Sequence, residues 1–201
     1  MGTTLQETPS GNRLHIGIFG KTNSGKSAFI NAFSGQAVSI VADVKGTTTD
    51  PVYKAMEIAP LGPCVLIDTA GFDDEGELGA MRMEKTALAA QKTELALILF
   101  ASEDMEKELE WFRYFQEKKT PVIPVISKSD LRSEEENQEF AEKLREQTKE
   151  KVCIVSAKTG AGIAELKERM IRMVPEGFGS RTITGDLVSE GDVVLLVMPQ
   201  D

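Results

Sequence analysis

Gly20-Lys21-Thr22-Asn23-Ser24-Gly25-Lys26-Ser27 lies between Ile16-Gly17-Ile18-Phe19 and Ala28-Phe29-Ile30-Asn31-Ala32-Phe33. The octapeptide fits G-x-x-x-x-G-K-S/T, with an apolar, strand-like run before it and a helix-like run after it. That context separates a phosphate loop from a chance match or a plain glycine turn. Its two glycines let the backbone curl until successive N–H groups point inward, and the following helix adds unpaired N–H groups and its positive end. Residues Asn23, Ser24, Gly25, Lys26, Ser27 and Ala28 are therefore expected to line a nucleotide's phosphates, with Lys26 reaching the β- and γ-phosphates and the Ser27 hydroxyl holding Mg²⁺.

The rest of the chain fits one nucleotide-binding domain. Its 201 residues accommodate a domain of about 150–180 residues and a remnant. A hydrophobic fraction of 41% and a charged fraction of 27% suit a globular chain with a real core. The longest apolar run, Leu95 to Ala101, falls short of the roughly 20 residues a membrane helix needs. The polar start, Met1 to Asn12, is unlike a signal peptide, and a cytoplasmic location is expected. Cys64 and Cys153 sit in separate strand-like runs and are expected to be buried, reduced thiols. The single histidine, His15, is expected to be structural, and the chain has no Cys/His cluster for zinc or iron–sulfur binding. The net charge of −9 argues against a nucleic-acid backbone as the main partner. It leaves a nucleotide open, because a local array of N–H groups, Lys26 and a metal outweighs net charge.

Strand-like and helix-like segments alternate, which predicts a mostly parallel sheet of six strands with helices on both faces. The strands are expected at Leu14–Phe19, Val52–Ala59, Cys64–Ile67, Glu94–Ala101, Pro121–Ile126 and Lys151–Val155. The second and third form a hairpin, the one antiparallel element. The prolines of Pro121–Ile126 suggest an edge or an irregular start. Helices are expected from Lys26, and over Met81–Lys92, Met105–Glu117, Ser133–Lys149 and Ile163–Val174; Gln36–Asp50 reads as a loop. This gives a leader at 1–12, a GTP-binding domain at 13–174, a linker at 175–185, and the start of a second domain at 186–201. The apolar strand in that last stretch would seek a sheet edge, such as another subunit's.

Four further stations carry chemistry. Asp68-Thr69-Ala70-Gly71 follows a strand, so the Asp68 carboxylate would hold a Mg²⁺-bound water and the Gly71 N–H would touch the γ-phosphate. Gly46-Thr47-Thr48-Thr49-Asp50 could bring a threonine to Mg²⁺ only while the γ-phosphate is present. Thr47 and Thr48 are the candidates for the nucleotide and Thr48 for the metal, though three consecutive threonines leave the choice open. Ser127-Lys128-Ser129-Asp130 follows another strand. Its aspartate can accept the ring N–H and the exocyclic amine of guanine, which adenine cannot offer. Ser156-Ala157-Lys158 would set a backbone N–H near the guanine oxygen. Lys26, Thr48 and Gly71 are the residues expected to act on the transferring phosphate.

The five stations in this order resemble the translation-factor class of G proteins, which implies a Ras-like fold that hydrolyses GTP to GDP with water as nucleophile. Asn23, three residues before Lys26, is similar to the asparagine of the potassium-activated GTPases TrmE, Era and EngA. There it binds K⁺ with carbonyls of the first switch loop, which correspond here to Ala42 and Val44. Through that likeness alone, Asn23 joins the residues expected to act on the transferring phosphate. Phe72 stands where Ras-like proteins have a catalytic glutamine, so the resemblance implies hydrolysis assisted by a fixed K⁺ charge. Asp73, Asp74, Glu75 and Glu77 read as a solvated acidic loop, and no general base is identifiable. Residues 46–57, 60–63 and 68–79, with Thr184-Gly185-Asp186-Leu187-Val188, resemble the HydF family of FeFe-hydrogenase maturation GTPases. That likeness implies a dimerisation domain beginning at the tail, a homodimer through its strand, and partnership with other maturation proteins and the hydrogenase apoprotein. The cluster-binding Cys/His motif of the family's third domain is absent, so no iron–sulfur cluster is expected on this chain. The alternatives are a potassium-dependent TrmE/Era-like GTPase of RNA or ribosome maturation, and a nucleotide-gated scaffold with slow hydrolysis. Ser127 stands where the G-protein family has asparagine, a change that loses the amide tying the base to the phosphate loop and bears on affinity more than on guanine preference.

Overall fold

A computed structural model describes residues 13–35, 40–44, 52–71 and 77–174, with backbone alone for 40–44 and 77–82. Among the described residues seven strands form one sheet: β1 (Leu14–Phe19), β2 (Ile40–Val44), β3 (Val52–Ile58), β4 (Gly62–Asp68), β5 (Leu95–Phe100), β6 (Val122–Ile126) and β7 (Cys153–Ile154). Their order is β2-β3-β4-β1-β5-β6-β7. Pairings among β4, β1, β5, β6 and β7 are parallel, and those of β2 with β3 and β3 with β4 are antiparallel. The helices are α1 (Lys26–Gly35), α2 (Glu77–Lys92), α3 (Glu106–Glu117), α4 (Glu134–Thr148) and α5 (Ile163–Met173).

The period-two rule explains why β5 and β6 are apolar throughout. Each buries both faces, so neither parity can be polar. In β5, Leu95, Leu97 and Leu99 join a core with Phe29, Ile30 and Phe33 of α1 and Ile163, Leu166 and Met170 of α5. Ala96, Ile98 and Phe100 face the opposite way, packing with Phe112 and Phe115 of α3 and Phe140 and Leu144 of α4. On that same side Ala89 of α2 meets Val65 and Ile67 of β4. Helix α4 starts on a capping box: Ser133 Oγ accepts from the Glu136 N–H at 3.2 Å, and the Glu136 carboxylate accepts from the Ser133 N–H at 2.7 Å. Together these bonds satisfy two of the donors a helix start leaves open.

The α/β class, the six expected strands and the five expected helices are all present, and three details differ. Helix α2 begins at Glu77, a residue the sequence reading places in the acidic loop. The stretch read as a loop, Gln36–Asp50, contains β2, which pairs with β3 (Ala42 opposite Ala55, Val44 opposite Tyr53). The sheet thus has seven strands and two antiparallel pairings in place of one. Pro121–Ile126 is an inner strand and not an edge, because β6 lies between β5 and β7. The Ser127 N–H donates to Phe100 O, while Ile126 O accepts from the Val155 N–H. The same alternation turns the missing donor of Pro124 toward β7. That ladder has only two rungs, Val125 with Cys153 and Ile126 with Ile154, so no bond is lost where it would cost most. The proposed leader, linker and second-domain start (1–12 and 175–201) lie outside the described residues.

His15 is structural as expected: its N–H donates to Glu94 Oε2 at 3.0 Å, and its Nδ1 lies 3.3 Å from the same oxygen. Both cysteines are free and buried. Burial pushes the Cys64 thiol up to about 12, with Glu57 adding to the rise, and burial also raises Cys153. A thiolate is the reactive form, so at about pH 8 a thiol-selective reagent should leave both residues unlabelled in the native chain and label both in guanidinium chloride. Rapid native labelling of Cys64 would contradict this packing.

Candidate functional site

At the end of β1 the chain turns sharply and re-enters as α1. The Ser24 N–H closes the turn on Lys21 O at 3.1 Å, and Phe29 N–H donates to Gly25 O at 2.8 Å as the helix starts. Asn23 (φ 61°) and Gly25 (φ 91°) adopt the left-handed conformation, which glycine takes freely and asparagine tolerates. A Cβ on Gly20 would stand 2.6 Å from Ser24 Oγ and 2.9 Å from Leu99 O, so only glycine fits there. The Lys26 side chain folds back into this curl, its Nζ donating to Gly20 O and Lys21 O, each at 2.8 Å. Lys26 is 7% exposed. A phosphate entering the loop would meet this group and compete with the two carbonyls for it.

Two oxygens flank the next position. Ser27 Oγ donates to Asp68 Oδ2 at 2.8 Å, joining the first turn of α1 to the last residue of β4. Burial raises the Asp68 carboxyl above its ordinary range, against the opposing pull of Ser27, Lys26 and Lys54. Among the described residues no group of three or more His, Cys, Asp or Glu side chains could cage a metal. One hydroxyl and one carboxylate, both hard oxygen donors, suit Mg²⁺, which binds through a few protein oxygens plus substrate phosphates. Thr69 Oγ1 donates to Ile18 O at 2.7 Å and locks the turn after β4 onto β1. That turn presses on the phosphate loop: a Cβ on Gly71 would lie 2.5 Å from Thr22 N and 2.7 Å from Thr22 Cα.

The third part of the site is a cavity of about 240 Å³ beside the loop, lined by Gly25, Ala28 and Phe29 on one side and Ser127, Lys128, Asp130, Leu131, Val155, Ala157 and Lys158 on the other. Asp130 lies in a single 3₁₀ turn, Ser129–Leu131. Ser156 Oγ donates to Asp130 Oδ1 at 2.6 Å, and this bond holds the Asp130 carboxyl below its ordinary range. An ionised, oriented carboxylate lining this cavity is a double acceptor for two adjacent N–H groups. The Ser127 hydroxyl donates to Ser24 O at 2.7 Å. Serine therefore keeps a direct tie between the base side and the phosphate loop, contrary to the loss expected from its missing amide.

Of the sequence-predicted residues, the structure gathers Asn23, Ser24, Gly25, Lys26, Ser27, Ala28, Asp68 and Gly71 around one loop. It sets Lys128, Asp130, Ser156, Ala157 and Lys158 beside it. Thr47, Thr48, Phe72, Asp73, Asp74 and Glu75 lie outside the described residues, as does the Glu77 side chain. Ala42 and Val44 stand in edge strand β2 rather than in a loop, and the structure does not show them beside Asn23. Three contributors escaped the sequence. Leu131 lines the cavity while 71% exposed. Arg132 bridges the loop after β6 to the end of β5, donating from Nη1 to Ser127 O at 3.3 Å and from Nη2 to Ala101 O. Asn137 donates from Nδ2 to Ser129 O at 2.9 Å. Only Asn137 left a trace: it falls on the stripe of Phe140, Ala141 and Leu144, where a polar residue needs partners.

A mostly parallel α/β sheet with a lysine-centred phosphate loop, a Ser/Asp oxygen pair and an aspartate-walled base cavity defines a phosphate-loop nucleotide-binding protein. The family model described as 50S ribosome-binding GTPase matches residues 15–128, and the chain belongs to that family. It is 34% identical over 195 residues to GTPase Der of Wolinella succinogenes, covering 91% of this chain and 40% of Der. It is 31% identical over 166 residues to the tRNA modification GTPase MnmE of Endomicrobium trichonymphae, covering 80% of this chain and 35% of MnmE. Aquifex aeolicus Era bound to GDP and aluminium fluoride superposes with a TM-score of 0.67 at 26% identity, over 81% of this chain and 57% of Era. The chain thus spans less than half the length of those two curated relatives. Substituting Gly71→Ala should push the turn after β4 off Thr22 and destabilise the chain by about 1–3 kcal/mol. Thermal melting would check this, and a wild-type melting temperature would contradict the close approach.

Proposed function

We propose that this chain binds GTP and hydrolyses it to GDP and phosphate, as a GTPase domain of the TrmE/Era/Der class. The observation that carries the reading is the run of three stations along one groove: the caged Lys26 ammonium, the Ser27–Asp68 oxygen pair and the Asp130 carboxylate fixed by Ser156. In this reading Asp130 selects guanine and the stems of Lys128 and Lys158 flank the base. Lys26 holds the β- and γ-phosphates, while Ser27 and Asp68 take Mg²⁺, Asp68 through a water. The Gly71 N–H and Thr48 bear on the γ-phosphate, and Thr47 on the nucleotide. Asn23 is the side-chain candidate for a K⁺ ligand. When bound, the two cations supply fixed positive charge where the leaving and transferring oxygens develop negative charge. The protein's own contribution is positioning, which is most of what phosphoryl transfer requires.

The relatives favour service in RNA or ribosome maturation, since MnmE is named for tRNA modification and the family for ribosome binding. Hydrogenase maturation is the second reading. Its support is the resemblance at 46–57, 60–63 and 68–79, together with a net charge of −9, which suits a protein partner better than a phosphate backbone. Pull-down of RNA against pull-down of hydrogenase maturation proteins, with GDP and with a non-hydrolysable GTP analogue, separates the two. A preference set by nucleotide state with negligible turnover would instead indicate a gated scaffold. No helix among the described residues is long and apolar enough to cross a membrane.

Lys26→Ala should abolish both nucleotide uptake and phosphate release, since the phosphate charge loses its partner; wild-type hydrolysis in that variant would overturn the assignment. Replacing K⁺ by Na⁺ should slow turnover several-fold, and equal rates in the two salts would remove K⁺ from the account.

A further inference from the structure

The carbonyls that receive the Lys26 ammonium belong to Gly20 and Lys21, and helix α3 grips the residues on both sides of that peptide. Before it, the Phe19 ring stacks on Trp111 with centroids 5.6 Å apart and planes 19° apart, and meets Phe115 at 4.9 Å. After it, the Lys21 side chain leaves the loop toward the start of α3. Its Nζ donates to Asp104 O at 2.5 Å and Asp104 Oδ2 at 2.8 Å, and lies 3.4 Å from Glu108 Oε2.

The two acids differ in kind. Asp104 is exposed, with a side chain 78% accessible, whereas that of Glu108 is 2% accessible. Burial pushes the Glu108 carboxyl upward, and its own backbone N–H and Lys21 oppose that rise. A helix start accounts for an acidic residue in the first turn of α3. It does not account for burying one against the phosphate loop, where a carboxylate is costly unless a cation answers it. Lys21 is that cation, and its carbonyl is also the hub of the loop, accepting from the Ser24 N–H as well as from Lys26.

We propose that Glu108 is a positioning residue for nucleotide binding: acting through Lys21, it holds the backbone of Gly20 and Lys21 in the orientation that aims both of their carbonyls at the Lys26 ammonium. The proposal rests on reading Gly20–Ser27 as the phosphate loop. Glu108 touches no phosphate in this scheme. It acts by keeping the loop curled before the nucleotide arrives, so its loss is felt as affinity for GTP and GDP alike.

The test uses the full chain with E108Q, K21M, K21R and the double variant E108Q/K21M. Steady-state GTP hydrolysis, titration with a fluorescent GDP analogue and thermal melting are measured for each. E108Q and K21M should each raise KM and the GDP dissociation constant about tenfold with kcat within about twofold, and the double variant should be no worse than either single one, as expected of two residues acting as a unit. K21R should restore most of the affinity lost in K21M, because a guanidinium can still answer the buried carboxylate. A purely structural role would lower the melting temperature and the apparent kcat while leaving KM unmoved, and that result overturns the proposal, as would additive losses in the double variant. A wild-type chain that takes up neither GTP nor the GDP analogue brings down the phosphate-loop reading, and this proposal with it. A wild type that binds beside variants of unchanged KM brings down the proposal alone.

Discussion

The contact between the Lys26 ammonium and the carbonyls of Gly20 and Lys21, each at 2.8 Å, sets the conditions for the rest of the molecule. A cation can be kept there only if the chain curls tightly enough to offer two carbonyls from one side and a helix start from the other. The curl in turn needs Asn23 and Gly25 in left-handed conformations and bare backbone at Gly20. None of this is stable as an isolated peptide. The sheet supplies the anchorage: β1 lies between β4 and β5, and the turn after β4 and the loop after β6 reach the same end, tied to Ile18 and Ser24.

Those neighbouring loops are fastened to the phosphate loop by bonds of one kind, a side-chain hydroxyl reaching a backbone carbonyl or a carboxylate. Thr69 ties the turn after β4 to Ile18, Ser27 ties α1 to Asp68, and Ser127 ties the base loop to Ser24. Thr69 and Ser127 are buried, and buried polar groups must find partners; theirs lie on other segments, in β1 and in the phosphate loop. The arrangement turns three separate chain segments into one rigid groove. Electrostatics then differentiates its two ends. Asp68 is raised by burial at the metal end, and Asp130 is lowered by Ser156 at the base end.

Much of this was legible before any coordinates. Strand β5 stands out in the sequence as the longest apolar run, Leu95 to Ala101, and α4 is legible over Ser133–Lys149; the capping box of Ser133 and Glu136 came from the structure. The motif residues were legible because their chemistry is local: a glycine curl, a lysine and a hydroxyl in eight positions. What escaped depends on distant partners. Ile40–Val44 sits in a stretch rich in Gly, Thr and Asp, and its strand character comes from pairing with β3. Pro124 argued for an edge only because the direction of its missing donor cannot be read from sequence. Arg132, Asn137 and the Lys21–Glu108 pair work across separations that periodicity does not report. Serine at position 127 looked like a loss until the hydroxyl was seen to reach Ser24 O.

The central claim is that one groove recognises both a polyphosphate and a guanine. Calorimetric titration of the full chain with Mg²⁺-GDP and, separately, with Mg²⁺-ADP tests both halves at once. Saturable, one-to-one uptake of GDP with no measurable uptake of ADP is the predicted result; equal heats for the two nucleotides, or none for either, would contradict it.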